Sequence, residues 1–328
     1  MALPPSFLIR TVKTVWTTLW RTMMSQMAPR DKSGSYQRPE SIFCDRIPSE
    51  HFPAAAQRYH LIVGMGCPWA HRTLIVRVLK GLEKAIPVTV VSPSGDEGCW
   101  VFDSPSQSAS LGCRTMPQFY AKAHPDYRGR ATVPVLWDSQ TNTIINNESA
   151  QIIEIINSAF NIWANQSELD LYPVDIKAEI DKSNSHIYTS INNGVYSCGF
   201  AQTQTAYEKA CHQLFTALDN IDTKLATQRY LCGNTLTLAD IRLFTTLIRF
   251  DVAYYGLFKC NVRRIAEYKH LSSYVRDIYQ LPGIANTCDI TAIKRDYFGN
   301  LFPLNPGGII PLGPDLDNLL APHQRDSM

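Results

Sequence analysis

The 328-residue sequence has almost no net charge: 31 Lys plus Arg stand against 29 Asp plus Glu, a balance of +2. It therefore lacks the basic footprint of a dedicated nucleic-acid binder, and no nucleic-acid partner is expected. It also lacks any unbroken apolar run near about 18 residues, which leaves no candidate for a bilayer-spanning helix. Internal repeats and low-complexity stretches are missing too, and 45% hydrophobic with 18% charged residues is the composition of an ordinary folded protein. Cysteine is present, but a disulfide pattern is not. Nine cysteines (44, 67, 99, 113, 198, 211, 232, 260, 288) form an odd set spread over a long chain. That fits a reduced compartment, here taken as cytoplasmic, better than a small secreted disulfide scaffold. The length predicts two domains at roughly 150 residues each.

The first thirty residues contain no acid. Arg10, Lys13, Arg21 and Arg30 accompany Phe7, Leu8, Ile9, Val12, Val15, Trp16, Leu19, Trp20, Met23, Met24 and Met27 at helical spacing, which predicts a basic amphipathic helix. Its compact apolar core and cleavage site are too poor for a secretory signal. Three readings stay open: an organelle transit peptide, a helix lying on a membrane surface, or a helix packed on the body of the protein. At the other end, Phe302 to Pro314 is rich in Pro and Gly and reads as a tail that wraps the surface or frays.

Between these ends, Tyr59-His60-Leu61-Ile62-Val63 reads as a strand closed by Gly64 and Gly66. A helix follows, with Leu74, Ile75, Val78, Leu79 and Leu82 on one face, and Val88 to Val91 is a buried strand, giving a βαβ unit. Residues 92–130 show few periodic apolar positions and read as a long connection of functional or family-specific origin. Val133 to Trp137 and Thr143 to Ile145 then form a hairpin, and Asn146-Asn147-Glu148-Ser149 opens a helix carrying Ile152, Ile153, Ile155 and Ile156. This order is that of an α/β thioredoxin-like domain. Beyond Tyr172-Pro173 the pattern is helical almost throughout, so an all-α domain follows. Within it, Thr237-Leu238-Ala239-Asp240 reads as a structural helix-start box.

Eight of the nine cysteines read mainly as small core residues, and Cys67 stands out. Cys67 lies in Gly66-Cys67-Pro68-Trp69-Ala70-His71-Arg72, between a strand and a helix. Pro68 suits the first position of that helix, because its missing N–H would go unpaired there anyway. Cys67 is then the N-cap, where free N–H groups and the helix dipole favour a thiolate, the nucleophilic form. The position three residues on is Ala70, so no neighbouring thiol can resolve a mixed disulfide and an external thiol must do so. His71 and Arg72 could serve as a general base and an anion clamp, but on a helix their side chains point away from its N-terminal end, which favours packing or capping. The proline of Val133-Pro134 is either cis and facing Cys67, with Val133 offering its backbone to a peptide-like ligand, or an ordinary edge-strand proline. Glu148 and Ser149 either cap their helix or hold the carboxylate and α-ammonium of a ligand. Together the three places suit γ-Glu-Cys-Gly, glutathione, with its sulfur at Cys67.

Several blocks sharpen this. The Gly66 to Arg72 motif, Leu79-Lys80-Gly81-Leu82-Glu83, Gly98-Cys99-Trp100-Val101-Phe102, Arg130 to Asp138, Asn147-Glu148-Ser149, Asn192 to Tyr196, Leu247-Ile248-Arg249-Phe250-Asp251 and Phe258-Lys259-Cys260-Asn261 closely resemble the glutathionyl-hydroquinone reductases, the Xi class of glutathione transferases. The resemblance spans about residues 35–300. It implies the glutathione transferase fold, with an N-terminal extension over 1–40, a glutathione-binding domain over 41–165 with an insertion at about 92–130, a helical domain over 166–300 contributing the hydroquinone site, and a tail over 301–328. It implies an enzyme that uses glutathione as co-substrate, needs no metal, reduces glutathionyl-hydroquinone conjugates through a Cys67 mixed disulfide, and forms a homodimer. Trp100, Val133, Pro134, Glu148 and Ser149 match positions that hold glutathione, and Tyr196 and Tyr297 match tyrosines beside the hydroquinone. Arg130 and Lys259 receive no functional role. The family typically has glycine where this chain has Cys99, which leaves open whether a second thiol joins the chemistry. Two other functions are compatible with the sequence: an omega-like thiol transferase or dehydroascorbate reductase, and a non-catalytic module for membrane association or assembly.

Overall fold

The computed structural model describes residues 5–29, 31 and 41–328. Of the predicted N-terminal helix, residues 1–4 and 30 lie outside the described residues, as do 32–40 of the extension. The helix itself, α1, runs Pro5–Met27.

The first domain is built on β1 (Tyr59–Val63), α2 (Pro68–Leu79), β2 (Val88–Ser94), β3 (Cys99–Phe102), α3 (Pro105–Leu111), α4 (Met116–Ala123), β4 (Val135–Asp138), β5 (Thr143–Asn146) and α5 (Ser149–Ser158). The sheet order is β3-β2-β1-β4-β5. β1 and β2 are parallel, with Val63 opposite Val90, as the βαβ crossover requires. The other pairs are antiparallel. Because Ile62 faces Val135 and Leu136 faces Asn146, the end of β1, the start of β4 and the start of α5 all meet at one end of the strands. Pro93 of β2 faces Trp100 of β3 and brings that residue to the same end.

The segment 92–130 is a correction to the sequence reading. It is not an irregular connection: it contains β3, which extends the sheet, and two short helices. Their starts are locally encoded. Ser104 accepts from the Gln107 N–H ahead of Pro105, and Thr115 and Gln118 form a reciprocal capping box. Helix α4 then buries Phe119 and Tyr120, and it packs against β3 and β5.

The second domain comprises α6 (Lys177–Ile187), α7 (Gly194–Gly199), α8 (Gln204–Lys224), α9 (Leu238–Arg249), the single turn α10 (Tyr255–Leu257), α11 (Lys269–Tyr279) and α12 (Ile290–Lys294). No strand follows Asn146 among the described residues. Helix α2 packs on α5 and on α9 and is therefore covered on both sides. This explains why every residue from Pro68 to Val76 is buried, where the sequence predicts a single apolar stripe. Each aliphatic side chain fully buried in this sandwich contributes on the order of 1.5–3 kcal/mol.

The C-terminal tail wraps the surface and is pinned rather than frayed. Arg325 is buried and its guanidinium donates to the carbonyls of Leu225, Gln228 and Arg229. No described helix is long and apolar enough to cross a membrane.

Candidate active site

Cys67 is the N-cap of α2, with extended backbone (φ −76°, ψ 121°) and Pro68 in the first turn. Its side chain makes no capping hydrogen bond, and the thiol donates to the Val133 carbonyl at 3.6 Å. The Val133–Pro134 peptide is cis, the first of the two alternatives the sequence leaves open. Val133, which the same thiol touches, is buried.

The loop before the cysteine has no room for side chains at its glycines. A Cβ on Gly64 would lie 2.4 Å from the Trp100 ring, and one on Gly66 would lie 2.3 Å from Asp296 Oδ2. Trp100 thus lies against the turn that presents the thiol. Cys99, its neighbour on β3, points to the opposite face of the strand. There burial and Glu97 push its thiol upward, against a hydrogen bond to Thr115.

At the start of α5, Glu148 accepts the Ala150 N–H at 3.2 Å, so it does cap its helix. Ser149 is buried, and its hydroxyl accepts from Arg72 at 3.4 Å. Arg72 also donates to Asn192 Oδ1 at 2.7 Å and lies over the Trp69 ring, 4.4 Å from its centroid. It is a buried strut between α5, α2 and the helical domain, in keeping with the packing role expected of it.

His71 is packed as well. Its Nδ1 lies 2.9 Å from the Arg249 guanidinium, a permanent donor, so Nδ1 accepts and Nε2 carries the proton. Nε2–H donates to Thr287 Oγ1 at 2.8 Å, and that hydroxyl donates to the Ile284 carbonyl. Burial, reinforced by Arg249, holds the imidazole well below its ordinary pKa. A neutral ring with both nitrogens engaged has no proton-transfer role at Cys67.

Three tyrosines from the helical domain close the other side. Tyr297 is the hub: its hydroxyl lies 2.6 Å from that of Tyr196 and 2.9 Å from that of Tyr254. The Tyr196 ring stacks on Trp69, two residues beyond the thiol. Each tyrosine sits in or just after a π-helical turn, at Tyr188–Asn192, Phe250–Tyr254 and Arg295–Gly299. Such wide turns shift the side chains that follow and recur at functional sites. Burial raises all three phenols, Tyr254 to about 12, and the charge of Cys67 adds to the rise at Tyr196 and Tyr254. All three are neutral at physiological pH and available as proton donors.

Sequence reasoning names Tyr196 and Tyr297 but misses Tyr254. It also assigns nothing to Arg249 and Asp296, which grip the cysteine loop from the helical domain. Arg249 is completely buried and donates to Gly66 O at 2.9 Å and Met65 O at 3.2 Å. Asp296 Oδ2 accepts the Gly66 N–H at 3.1 Å. The visible hint was an arginine set between Leu247, Ile248 and Phe250 in an otherwise apolar helical run. Arg130 is exposed and Lys259 adopts positive φ at 59°; neither is among the residues in this cluster. None of the nine cysteines is in a disulfide. Five of the eight besides Cys67 are buried, while Cys44 is exposed and Cys99 and Cys288 are half-buried, so the expectation of core packing fails for Cys44.

A thioredoxin-like sheet with a helix-capping cysteine, a cis-proline beside it and an all-helical second domain defines the glutathione transferase fold. The family model "Glutathione S-transferase, N-terminal domain" matches residues 66–159, and "Glutathione S-transferase, C-terminal domain" matches residues 204–277. The chain is 43% identical to glutathionyl-hydroquinone reductase YqjG of Escherichia coli K12, over 95% of this chain and 97% of that one. Among solved structures, glutathione transferase Xi of Phanerochaete chrysosporium superposes with a TM-score of 0.82 at 44% identity, covering 87% of this chain and 94% of the other. The glutathione-bound structure of E. coli YqjG superposes at 0.81 with 46% identity, covering 85% and 92%. The chain belongs to the Xi-class glutathione transferases, the glutathionyl-hydroquinone reductase family.

Proposed function

We propose that this protein reduces S-glutathionyl-hydroquinones to hydroquinones, with glutathione as co-substrate. The observation that carries the reading is the placement of one helix-capping cysteine between a cis-proline backbone and a cluster of neutral tyrosines. The Val133 backbone at Pro134, with Glu148, Ser149 and Trp100, holds the glutathionyl part, as the glutathione-bound relative supports. The hydroquinone ring lies toward Tyr196 and Tyr297.

The Cys67 thiolate attacks the sulfur of the conjugate. A Cys67–glutathione S–S bond forms as the carbon–sulfur bond breaks. The electron pair of that bond leaves with the ring, which takes up one proton and departs as the hydroquinone. Neutral phenols suit this step, because they donate to the hydroquinone oxygens as charge develops and relay a proton along the Tyr196–Tyr297–Tyr254 chain. A second glutathione thiolate then attacks the mixed disulfide, releasing glutathione disulfide and restoring Cys67. Ala70, fully buried where other thiol oxidoreductases carry a second cysteine, supports the need for that external thiol. Nine cysteines outside any disulfide support a reducing location such as the cytoplasm, and the family resemblance supports a homodimer.

The aromatic lining favours this reading over dehydroascorbate reduction. The ratio kcat/KM for glutathionyl-menadiol is expected to exceed that for dehydroascorbate by about a hundredfold, the range an aromatic pocket can supply. The reverse ranking in parallel steady-state assays would assign the site to omega-like chemistry.

A further inference from the structure

Among the described residues, the N-terminal helix is attached to the body toward its C-terminal end. Trp20 donates its indole N–H to the Pro303 carbonyl at 3.0 Å, the Trp16 ring meets Phe302 edge-on at 6.2 Å, and Met24 and Ala28 are buried. Toward the N-terminus the apolar stripe is largely exposed among the described residues. Leu8, Ile9, Val12, Val15, Trp16 and Leu19 recur at helical spacing on one face, and each is between 42 and 67% exposed. Phe302, 48% exposed and in contact with Trp16, extends the same apolar surface from a segment almost 300 residues away. Single exposed apolar residues are unremarkable, but a contiguous ridge of this kind marks an interaction surface.

The polar side of the helix says what the ridge meets. Arg10, Lys13 and Arg21 are exposed, and α1 contains no acidic residue. Thr14, Thr18 and Thr22 bond to the carbonyls four residues before them, so the rest of the face is neutral and internally satisfied. Cations flanking an apolar stripe that carries a tryptophan match the headgroup region of an anionic bilayer. A second copy of the same face is a poorer match, since an isologous contact would bring together two helices that each carry three cations, with no counter-charge on either helix.

We infer that α1 binds the surface of anionic phospholipid bilayers, lying in the interface with its apolar face among the acyl chains. This does not rest on the proposed chemistry at Cys67. The test is flotation of the full-length protein with vesicles of phosphatidylcholine alone and of phosphatidylcholine with about one third phosphatidylglycerol, close to a natural anionic leaflet. The protein is expected to float with the anionic vesicles, and to be released by high salt. Double substitution Val12→Glu with Trp16→Glu should abolish flotation. Arg10→Gln with Lys13→Gln should weaken it about thirtyfold, the combined effect of two interfacial cations. Both variants change only exposed positions, so turnover of a soluble conjugate should stay at the parent value and certify the fold. Absence of flotation by the parent protein, or flotation unchanged in the glutamate variant, would overturn the inference. So would loss of a dimer in the glutamate variant by light scattering without any vesicle binding, which would assign the ridge to a second copy.

Discussion

Cys67→Ser is expected to abolish turnover of a glutathionyl-hydroquinone, by about a thousandfold or more, while leaving the fold intact. The two outcomes separate cleanly because of where the residue sits. Serine differs from cysteine by one atom, and the N-cap of α2 is a position that serine favours, since its oxygen can accept an N–H of the first turn. The melting temperature should therefore hold or rise slightly. The chemistry has no such tolerance. A hydroxyl is not ionised at neutral pH and forms no disulfide, so neither the attack on sulfur nor the glutathione mixed disulfide can occur. A serine variant with full turnover would remove the enzymatic account outright.

The second large effect is expected at Arg249→Met. The guanidinium is buried and ties four acceptors: Gly66 O, Met65 O, Thr245 O and His71 Nδ1. Methionine fills similar volume without donating, which leaves the two loop carbonyls and the imidazole nitrogen unpaired in the interior. Each such group costs about 1–3 kcal/mol, partly offset because a buried charge no longer needs desolvating. A net stability loss of about 3 kcal/mol is expected in denaturant unfolding. Turnover should fall further than unfolding explains, by about a hundredfold at temperatures where the variant remains folded, because the loop that aims Cys67 loses its anchor. Arg249 acts through that loop and is a positioning residue. Two readouts distinguish this from simple destabilisation. The pH profile of Cys67 alkylation should change in the methionine variant, and Arg249→Lys, which keeps a donor and a charge, should restore part of kcat. A methionine variant with parental kcat and an unchanged alkylation profile would show that the anchor is dispensable.

The features legible in the sequence were those encoded over a few residues. Gly66-Cys67-Pro68 announces a helix N-terminus, and the strand before it and the hairpin from Val133 are short apolar runs bounded by turn residues. Trp100 and the tyrosines at 196 and 297 came only through family resemblance, because a single aromatic in the short strand β3 or in a helical run has no local signature. The loop anchors were hidden for a different reason: Arg249 reaches back 183 residues and Asp296 reaches back 230. Burial of His71 and Arg72 was likewise invisible from the helix alone, since it depends on α9 covering a face that the stripe of Leu74, Ile75 and Val78 leaves polar. The two helices within 92–130 are a different kind of miss. Ser104-Pro105 and Thr115 with Gln118 are ordinary helix-start signals, outweighed by the Ser, Pro and Gly around them.

Formation of the mixed disulfide is the central claim, and mass spectrometry tests it most directly. The reduced protein is incubated with a glutathionyl-hydroquinone in the absence of free glutathione, quenched with acid, and digested. The account predicts one glutathione per chain, located on the peptide containing Cys67, together with one equivalent of free hydroquinone, and release of the adduct when glutathione is added. Hydroquinone release with no adduct, or with glutathione found on Cys99 while Cys67 stays free, would contradict it.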